Sequence, residues 1–212
     1  MVSIAGVAGF LLNRWRGTHA RFQAIYLGNF WNDAESRSGP GSRRDSESVR
    51  RTLAALEAVL DRCEIRSMAD LPCGDCNWIG GFLDAHPGIG YVGYDIVPEL
   101  IARNRDRLAL RFEVLDITTQ VPARADLILC KDLFNHLYNA EVSAALDNML
   151  ASGSRWLLAS NNFGHANREL PRIAISSSRH LDLTAQPFNL PPPVWRDDYL
   201  GLWDLNALRN SA

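Results

Sequence analysis

Three acidic side chains and one glycine near a sharp turn are the residues of this sequence best suited to chemistry. They are Asp70, Gly74, Asp75 and, 25 residues after the first, Asp95. A pyrophosphate site needs several glycines and no facing carboxylate, so this pattern disfavours a phosphate ligand. Two carboxylates around the turn favour a ligand with positive charge, such as an ammonium or a sulfonium. The carboxylate of Asp95 could also accept hydrogen bonds from both hydroxyls of a ribose.

The segments around these residues predict two neighbouring parallel strands joined by a helix. Residues 67–81, SMADLPCGDCNWIGG, are typical of a strand, a tight turn and the start of a helix. Residues 91–95, YVGYD, form a second strand of aromatic and β-branched type, and the interval between Asp70 and Asp95 fits one crossover helix. Open α/β sheets bind ligands beyond the carboxyl ends of their strands, so we expect both carboxylates in one site.

The rest of the pattern predicts one α/β domain in a chain of 212 residues. The run ADLILCK is almost continuously apolar, as expected of a central parallel strand. Further strands are predicted at 111–117 and 155–160, and helices from Asp45 or Ser46 to about Arg62, at 98–110 and at 140–150. Residues 163–178 predict a partly helical insertion, and 180–183 and 203–205 predict antiparallel strands.

These motifs resemble the class I S-adenosylmethionine-dependent methyltransferases over residues 67–161. The resemblance implies a single-domain, Rossmann-like, doubly wound and mostly parallel seven-stranded sheet with an antiparallel strand near the C-terminus. It implies that Asp70 precedes the donor loop, that Asp95 binds the ribose, and that Asp116 and the Ile117 N–H meet the adenine. Other residues expected at the S-adenosylmethionine site are Pro72, Cys73, Gly74, Asp75, Trp78, Ile96 and Lys131.

Candidate catalytic residues follow the fourth predicted strand. His136 has the ordinary pKa best suited to a general base, although a structural hydrogen bond is an equally good interpretation. Asp132 is the alternative base, and Lys131 could orient an anionic acceptor. Methyl transfer needs the reacting atoms held in line at about 3 to 3.5 Å with water excluded. Candidate residues for the acceptor wall are Asn29, Trp31, Asn161 and Trp195.

The predicted domain has three parts. Residues 46–162 form the donor-binding core and residues 163–212 the acceptor side. Residues 1–45 contain an N-terminal helix at 2–12, shorter than the roughly 20 residues needed to span a bilayer. In 29–42, NFWNDAESRSGPGS, aromatic residues lie beside a glycine hinge, and a lid and a surface linker are equally good interpretations.

Composition disfavours several other classes of protein. A net charge of −2 gives no general attraction to nucleic acid. Four cysteines without a secretion signal favour reduced thiols and a cytoplasmic location. Cys73 and Cys76 form a CxxC motif, but an internal aspartate disfavours a thiolate, and no second CxxC completes a zinc site. Metal-dependent members of the family use acidic and amide groups where this chain has only one carboxylate, so we expect no metal.

The sequence therefore predicts methyl transfer from S-adenosylmethionine to a small polar acceptor. A hydroxyl of a sugar or biosynthetic intermediate is favoured, and O-methylation over N-methylation. Two alternatives remain open: a non-catalytic adenosine-binding regulatory module and, less favoured because the glycine-rich turn is missing, a nicotinamide-dependent oxidoreductase. The expected partner is a small molecule, without nucleic acid or stable membrane insertion.

Overall fold

Helices and strands alternate through most of the chain. The computed structural model describes residues 17–171 and 174–210, so the helix expected at 2–12 lies outside the described residues. The helices are α1 Thr18–Gly28, α2 Glu47–Leu60, α3 Ile79–Ala85, α4 Pro98–Arg107, α5 Asn139–Ala151 and α6 Leu205–Arg209. The strands are β1 Ser67–Asp70, β2 Gly90–Asp95, β3 Arg111–Val114, β4 Leu127–Cys130, β5 Trp156–Ser160, β6 Trp195–Arg196 and β7 Leu200–Asp204.

The seven strands form one sheet in the order β3-β2-β1-β4-β5-β7-β6. Strands β1 to β5 are parallel, whereas β7 pairs antiparallel with both β5 and β6. This confirms the predicted Rossmann-like sheet. Strand order reverses between β1 and β4, and a crevice at their carboxyl ends is where such sheets bind ligands.

The central strand β4 shows why the sequence has a continuous apolar run there. Leu127 and Leu129 pack in the cluster that covers α2, α3 and α4, whereas Ile128 and Cys130 pack in the cluster that covers α5. Helices therefore bury both faces of the strand, and each residue of β4 is at least 99% buried. Such a strand is a rigid support for the side chains that follow it.

Helix starts agree with their sequence signals. The Ser46 hydroxyl accepts a hydrogen bond of 3.1 Å from the Val49 N–H and so caps α2. Pro98 occupies the first turn of α4, where its missing N–H costs nothing. No helix in the described parts of the chain is long and apolar enough to cross a membrane.

The predictions for the C-terminal third are partly wrong. Residues 180–183 are not a strand: the Leu181 and Leu183 N–H groups donate to the side chains of Asn162 and Asn161 instead of to a sheet ladder. The outer antiparallel strand is β6, and Leu205 begins a helix rather than ending a strand. The described residues of 163–178 contain no helix.

Candidate active site

Asp70 ends β1 and is almost fully buried, with 2% of its surface exposed. The Tyr91 hydroxyl donates a hydrogen bond of 2.8 Å to its carboxylate. Burial nevertheless raises the pKa of Asp70 to about 7, against the smaller opposing effects of Tyr91 and the Lys131 charge. A buried carboxylate with one donor gains from a ligand that brings positive charge or further donors.

Asp95 ends β2 and turns toward the same loop. It accepts hydrogen bonds from the Val97 N–H at 3.0 Å and the Gly74 N–H at 3.3 Å. Burial raises its pKa to about 6 despite these backbone donors. Gly74 has a φ of +53°, and a Cβ there would lie 2.3 Å from the Ser38 hydroxyl. Both conformation and space therefore require glycine at this turn.

Asp116 lies just beyond β3. Its carboxylate accepts hydrogen bonds from the Thr118 N–H at 2.9 Å and the Thr118 hydroxyl at 2.6 Å. The Ile117 carbonyl accepts a hydrogen bond from the Asn148 amide, which fixes the backbone at this turn. The local hydrogen bonds thus hold Asp116 and Ile117 in one conformation at the strand end.

One cavity of about 400 Å³ joins these three strand ends, and we call it the first cavity. Ten of the eleven residues predicted at the donor site line it. They are Asp70, Pro72, Cys73, Gly74, Trp78, Asp95, Ile96, Asp116, Ile117 and Lys131. The structure thus brings these ten predicted residues together around one cavity.

Asp75 is the exception, because it does not line the first cavity. Its buried carboxylate accepts hydrogen bonds from the Ser36 hydroxyl at 3.0 Å, the Arg37 N–H at 2.8 Å and the Ser38 hydroxyl at 3.3 Å. The Asp75 N–H in turn donates to the Ser38 hydroxyl at 2.9 Å. Asp75 therefore holds another segment in place instead of facing a ligand.

That segment, residues 33–43, forms a roof over the first cavity. Arg43 pairs with Asp33 at 2.6 Å, and hydrogen bonding from Arg43 is the main reason that the pKa of Asp33 falls to about 2. The Asn77 amide donates to Glu35 at 2.7 Å. Residues 37–42 and Trp31 line the cavity, whereas Phe30 is 52% exposed. The Arg43–Asp33 pair thus joins the two ends of the roof, Asn77 holds the roof to the donor loop, and Phe30 lies outside the cavity.

Asp132 lies at the center of a hydrogen-bond network at the end of β4. Its carboxylate accepts hydrogen bonds from the Lys131 ammonium at 2.6 Å and the Tyr199 hydroxyl at 2.6 Å. The Ser48 hydroxyl lies 2.7 Å from the Tyr199 oxygen and 3.2 Å from the carboxylate, and its single proton can go to only one of them. Burial acts to raise its pKa, but the charge and hydrogen bond of Lys131, the hydrogen bond of Tyr199 and the nearby His136 together hold the pKa below its usual range. A carboxylate with an adjacent ammonium, a hydroxyl donor and a lowered pKa is a poor proton acceptor.

Lys131 is committed in the same network. Besides Asp132, its ammonium donates to the Gly41 carbonyl of the roof at 3.0 Å. The side chain is only 5% exposed, and its charge is balanced by the adjacent carboxylate. Lys131 therefore connects the roof to the sheet. Because its charge is paired with Asp132, it is poorly suited to bind an anionic acceptor.

His136 lies in a short helical turn, Phe134–His136, and lines the first cavity. Its Nδ1 lies 3.0 Å from the Ser177 carbonyl, and because a carbonyl only accepts, Nδ1 carries the proton. Burial lowers the pKa of His136 and keeps the ring neutral. The lone pair is then on Nε2, as a general base requires. The Trp31 ring packs at 5.5 Å from the imidazole.

The four predicted acceptor residues do not lie together. Trp31 lines the first cavity, and Asn161 lines a second cavity of about 310 Å³ on the other side of Asp132. Asn29 and Trp195 line neither of these cavities. The Asn29 amide donates to the Asp33 carbonyl at 3.5 Å, and Trp195 packs against the core from the edge strand β6. Neither is placed to touch a ligand in these cavities.

Sequence reasoning missed Tyr199, Ser48 and the serines of the roof. Tyr199 is 67 residues from Asp132, and Ser48 is 84 residues from it. No local motif marks them, because their role comes from the meeting of β7, α2 and β4. Only a contact map could have found them.

The CxxC motif is part of the protein interior. Cys73 and Cys76 are free thiols, 7% and 6% exposed. Burial raises the pKa of the Cys73 thiol well above its usual range, which disfavours a reactive thiolate. Among the described residues, no group of three or more His, Cys, Asp or Glu side chains could hold a metal ion.

Comparisons with known proteins agree with this geometry. Residues 69–152, less than half of the chain, match the model of a methyltransferase-domain family. A search of curated proteins found no match. The match and the fold together support a class I methyltransferase that depends on S-adenosylmethionine.

Two solved structures show the extent of the structural likeness. Magnesium protoporphyrin IX methyltransferase from Synechocystis, with bound S-adenosylmethionine, is 16% identical, with a TM-score of 0.55 over 87% of this chain and 92% of that one. Human N-acetylserotonin methyltransferase, in complex with S-adenosylmethionine, is 14% identical, with a TM-score of 0.54 over 92% of this chain and 69% of that one. At these identities the likeness shows the fold alone.

Proposed function

We propose that this protein transfers a methyl group from S-adenosylmethionine to a hydroxyl of a small polar acceptor, with a sugar hydroxyl favoured. The observation that carries the proposal is the convergence of Asp70, Asp95 and Asp116 on one cavity at consecutive strand ends. The match to a methyltransferase-domain family supports the same reaction. The two solved methyltransferases named above were determined with the same donor.

The residues of the first cavity fit this donor. Asp95 would accept the ribose hydroxyls, and Asp116 with the Ile117 N–H would meet the adenine. Asp70 supplies negative charge toward the methionine part, which carries an ammonium and a sulfonium. Burial raises the pKa of Asp70 and of Asp95 despite the neutral donors that they have, so a ligand with hydroxyls and positive charge would stabilise their charged forms.

The donor supplies an activated methyl group, and the chain's own residues supply position and a proton acceptor. His136 Nε2 would take the proton of the acceptor hydroxyl, since Nδ1 is held by the Ser177 carbonyl. Asp132 and Lys131 would position the roof and strand end rather than exchange protons, because their hydrogen bonds are already made. This assignment favours O-methylation, since a hydroxyl needs a base more than an amine does.

Further parts of the proposal concern the setting of the site. We propose that residues 46–162 hold the donor, with the roof before them and an acceptor side after them, in one methyltransferase domain. Four reduced cysteines fit a cytoplasmic enzyme.

Calorimetric titration tests the proposal. Purified protein is titrated with S-adenosylmethionine, with its demethylated product S-adenosylhomocysteine and with NADH. We expect the first two to bind and NADH to give no heat of binding. Binding of NADH with no binding of either adenosyl ligand would instead support a nicotinamide-dependent enzyme.

A further inference from the structure

The second cavity begins where the first one ends. Asp132, Asn135 and Ser178 line both cavities, so the two spaces share a wall at the end of β4. Nine of the eleven residues that line the second cavity have polar side chains, and only Phe134 and Leu181 are hydrocarbon. A space of this character suits a polar molecule rather than an apolar one.

Most polar groups around the second cavity already have partners. The Asn161 amide donates to Asp182 at 3.0 Å, and its oxygen accepts from the Leu183 N–H at 2.7 Å. The Tyr199 hydroxyl donates to Asp132. These groups shape the wall but offer little to a ligand.

Two buried atoms are different, because neither has a hydrogen-bond partner within the described chain: Arg179 Nε and Asn135 Oδ1. The Arg179 side chain is only 6% exposed, and its backbone N–H donates to the Asn135 carbonyl at 3.1 Å, so the two residues are adjacent. One atom is a donor and the other an acceptor. Buried polar atoms without partners are costly, and a ligand that supplies both partners would remove that cost.

The charges of the site indicate a neutral ligand group. Asp132 is paired with Lys131, and Arg179 lies 3.4 Å from Glu169. Each terminal nitrogen of Arg179 already donates to a main-chain carbonyl, that of Arg168 or that of Leu137, which leaves Nε as the guanidinium nitrogen without a partner among the described residues. A hydroxyl can accept a hydrogen bond from Arg179 Nε–H and donate one to Asn135 Oδ1, so it matches these two unpartnered atoms.

We propose that the second cavity binds the non-reacting part of the acceptor, a neutral polyhydroxylated molecule, through Arg179 Nε and Asn135 Oδ1. The proposal rests on the proposed methyl transfer and names where the acceptor extends beyond the reacting hydroxyl. The acceptor would cross the shared wall, with its reacting hydroxyl near His136 and its remaining hydroxyls beyond Asp132.

The test is ligand-observed saturation-transfer NMR on protein saturated with S-adenosylhomocysteine. Three probes are compared: methyl β-D-glucopyranoside as a neutral polyol, benzoate as an anion and indole as an apolar ring. His180→Trp narrows the second cavity, because His180 is exposed and lines only that cavity. His165→Trp is the matched control, since His165 stacks on His180 at 4.6 Å but lines neither cavity. Asn135→Ala removes the free acceptor.

We expect signal from the polyol alone, weakened roughly tenfold by His180→Trp and by Asn135→Ala and unchanged by His165→Trp. Affinity for S-adenosylhomocysteine, measured by calorimetry, should be unchanged in His180→Trp and His165→Trp. Polyol signal that persists in both His180→Trp and Asn135→Ala would overturn the proposal, as would signal from benzoate or indole alone, or from no probe. Failure of the parent protein to bind S-adenosylhomocysteine would instead defeat the proposed function.

Discussion

Two groups of carboxylates meet the first cavity, and they differ in how well they are satisfied. Asp70 and Asp95, at the ends of β1 and β2, are buried and, among the described residues, accept hydrogen bonds only from neutral donors, and their pKa values rise to about 7 and about 6. Asp132, at the end of β4, has a side chain that is 33% exposed and lies 2.6 Å from the Lys131 ammonium, and its pKa falls. The charge of Lys131 is the largest of the effects that lower the pKa of Asp132, so a paired cation, more than the number of donors, accounts for the difference.

This difference distinguishes carboxylates that are suited to bind a ligand from a carboxylate that is suited to stabilise the structure. A buried carboxylate without a paired charge gains when a ligand supplies one, whereas a carboxylate that is already paired gains little. We therefore propose that Asp70 and Asp95 bind the ligand and that Asp132 stabilises the end of β4. In this proposal the neutral His136 is the proton acceptor. Four substitutions test this division, from the largest expected effect to the smallest.

His136→Gln removes the side chain that we propose as the general base. We expect the rate of methyl transfer to fall by roughly 10²–10⁴. The measurement uses labelled S-adenosylmethionine and the polyol selected by NMR, and calorimetry should show unchanged affinity for S-adenosylhomocysteine. His165→Gln, a change at an exposed histidine outside both cavities, is the control. If the rate of His136→Gln stays within threefold of the parent's rate, a group other than His136 accepts the proton.

Asp70→Asn should stabilise the ligand-free protein at pH 8 while weakening donor binding. Because its pKa is raised, Asp70 keeps a proton in the folded protein between about pH 4 and 7, whereas the unfolded chain releases it. The contribution of Asp70 to the free energy of unfolding is therefore fully present below about pH 4 and is lost as the pH rises to about 7. Asparagine removes this buried charge, and we expect a gain of roughly 1–4 kcal/mol at pH 8 that shrinks toward pH 5. Urea unfolding at both pH values measures it. A loss of stability at pH 8 would contradict the account of Asp70.

Asp95→Ala should weaken binding of S-adenosylmethionine by about 1–3 kcal/mol, because charge-assisted hydrogen bonds to the ribose are lost. Calorimetry measures this directly. Asp106→Ala removes a carboxylate from the exposed face of α4 and serves as the control with no expected change. If Asp95→Ala binds the donor as tightly as the parent, the ribose assignment is wrong.

Tyr199→Phe deletes one donor to Asp132 but leaves Lys131 in place and frees the Ser48 hydroxyl to donate to Asp132. We expect a loss of roughly 1 kcal/mol in the free energy of unfolding and less than a tenfold change in rate. A loss of activity as large as that of His136→Gln would place Tyr199 or Asp132 in the chemistry itself.

The positions of the strand-end and turn residues of the first cavity were predictable because local sequence patterns mark strand ends and turns. Asp70, Gly74 and Asp95 each sit at a strand end or turn whose position the sequence marks, and parallel strands bring such ends together. Ser46 at the start of α2 and the apolar run of β4 were predictable for the same reason. These features need no knowledge of distant contacts.

The walls and roof were not predictable in the same way. Asp75 is acidic and lies in the donor loop, yet its hydrogen bonds go to Ser36 and Ser38, which no local pattern joins to it. The Tyr199–Asp132 pair depends on how the antiparallel end of the sheet folds back. Residues 180–183 were mistaken for a strand because alternating apolar residues there pair with asparagine side chains instead of with a neighbouring strand.

The central claim is that Asp70 and Asp95 receive a positively charged adenosyl ligand, and the protons released on binding test it most directly. S-adenosylmethionine, which carries both an ammonium and a sulfonium, is titrated at pH 6.5 in two buffers with different ionisation enthalpies. Because the pKa values of both carboxylates are raised in the free protein, part of the population is protonated at this pH, and a cationic ligand that also donates hydrogen bonds should expel those protons. We predict net proton release that disappears near pH 8.5 and is smaller in Asp70→Asn. Binding with proton uptake, or with the same affinity from pH 5 to pH 8.5, would contradict the claim.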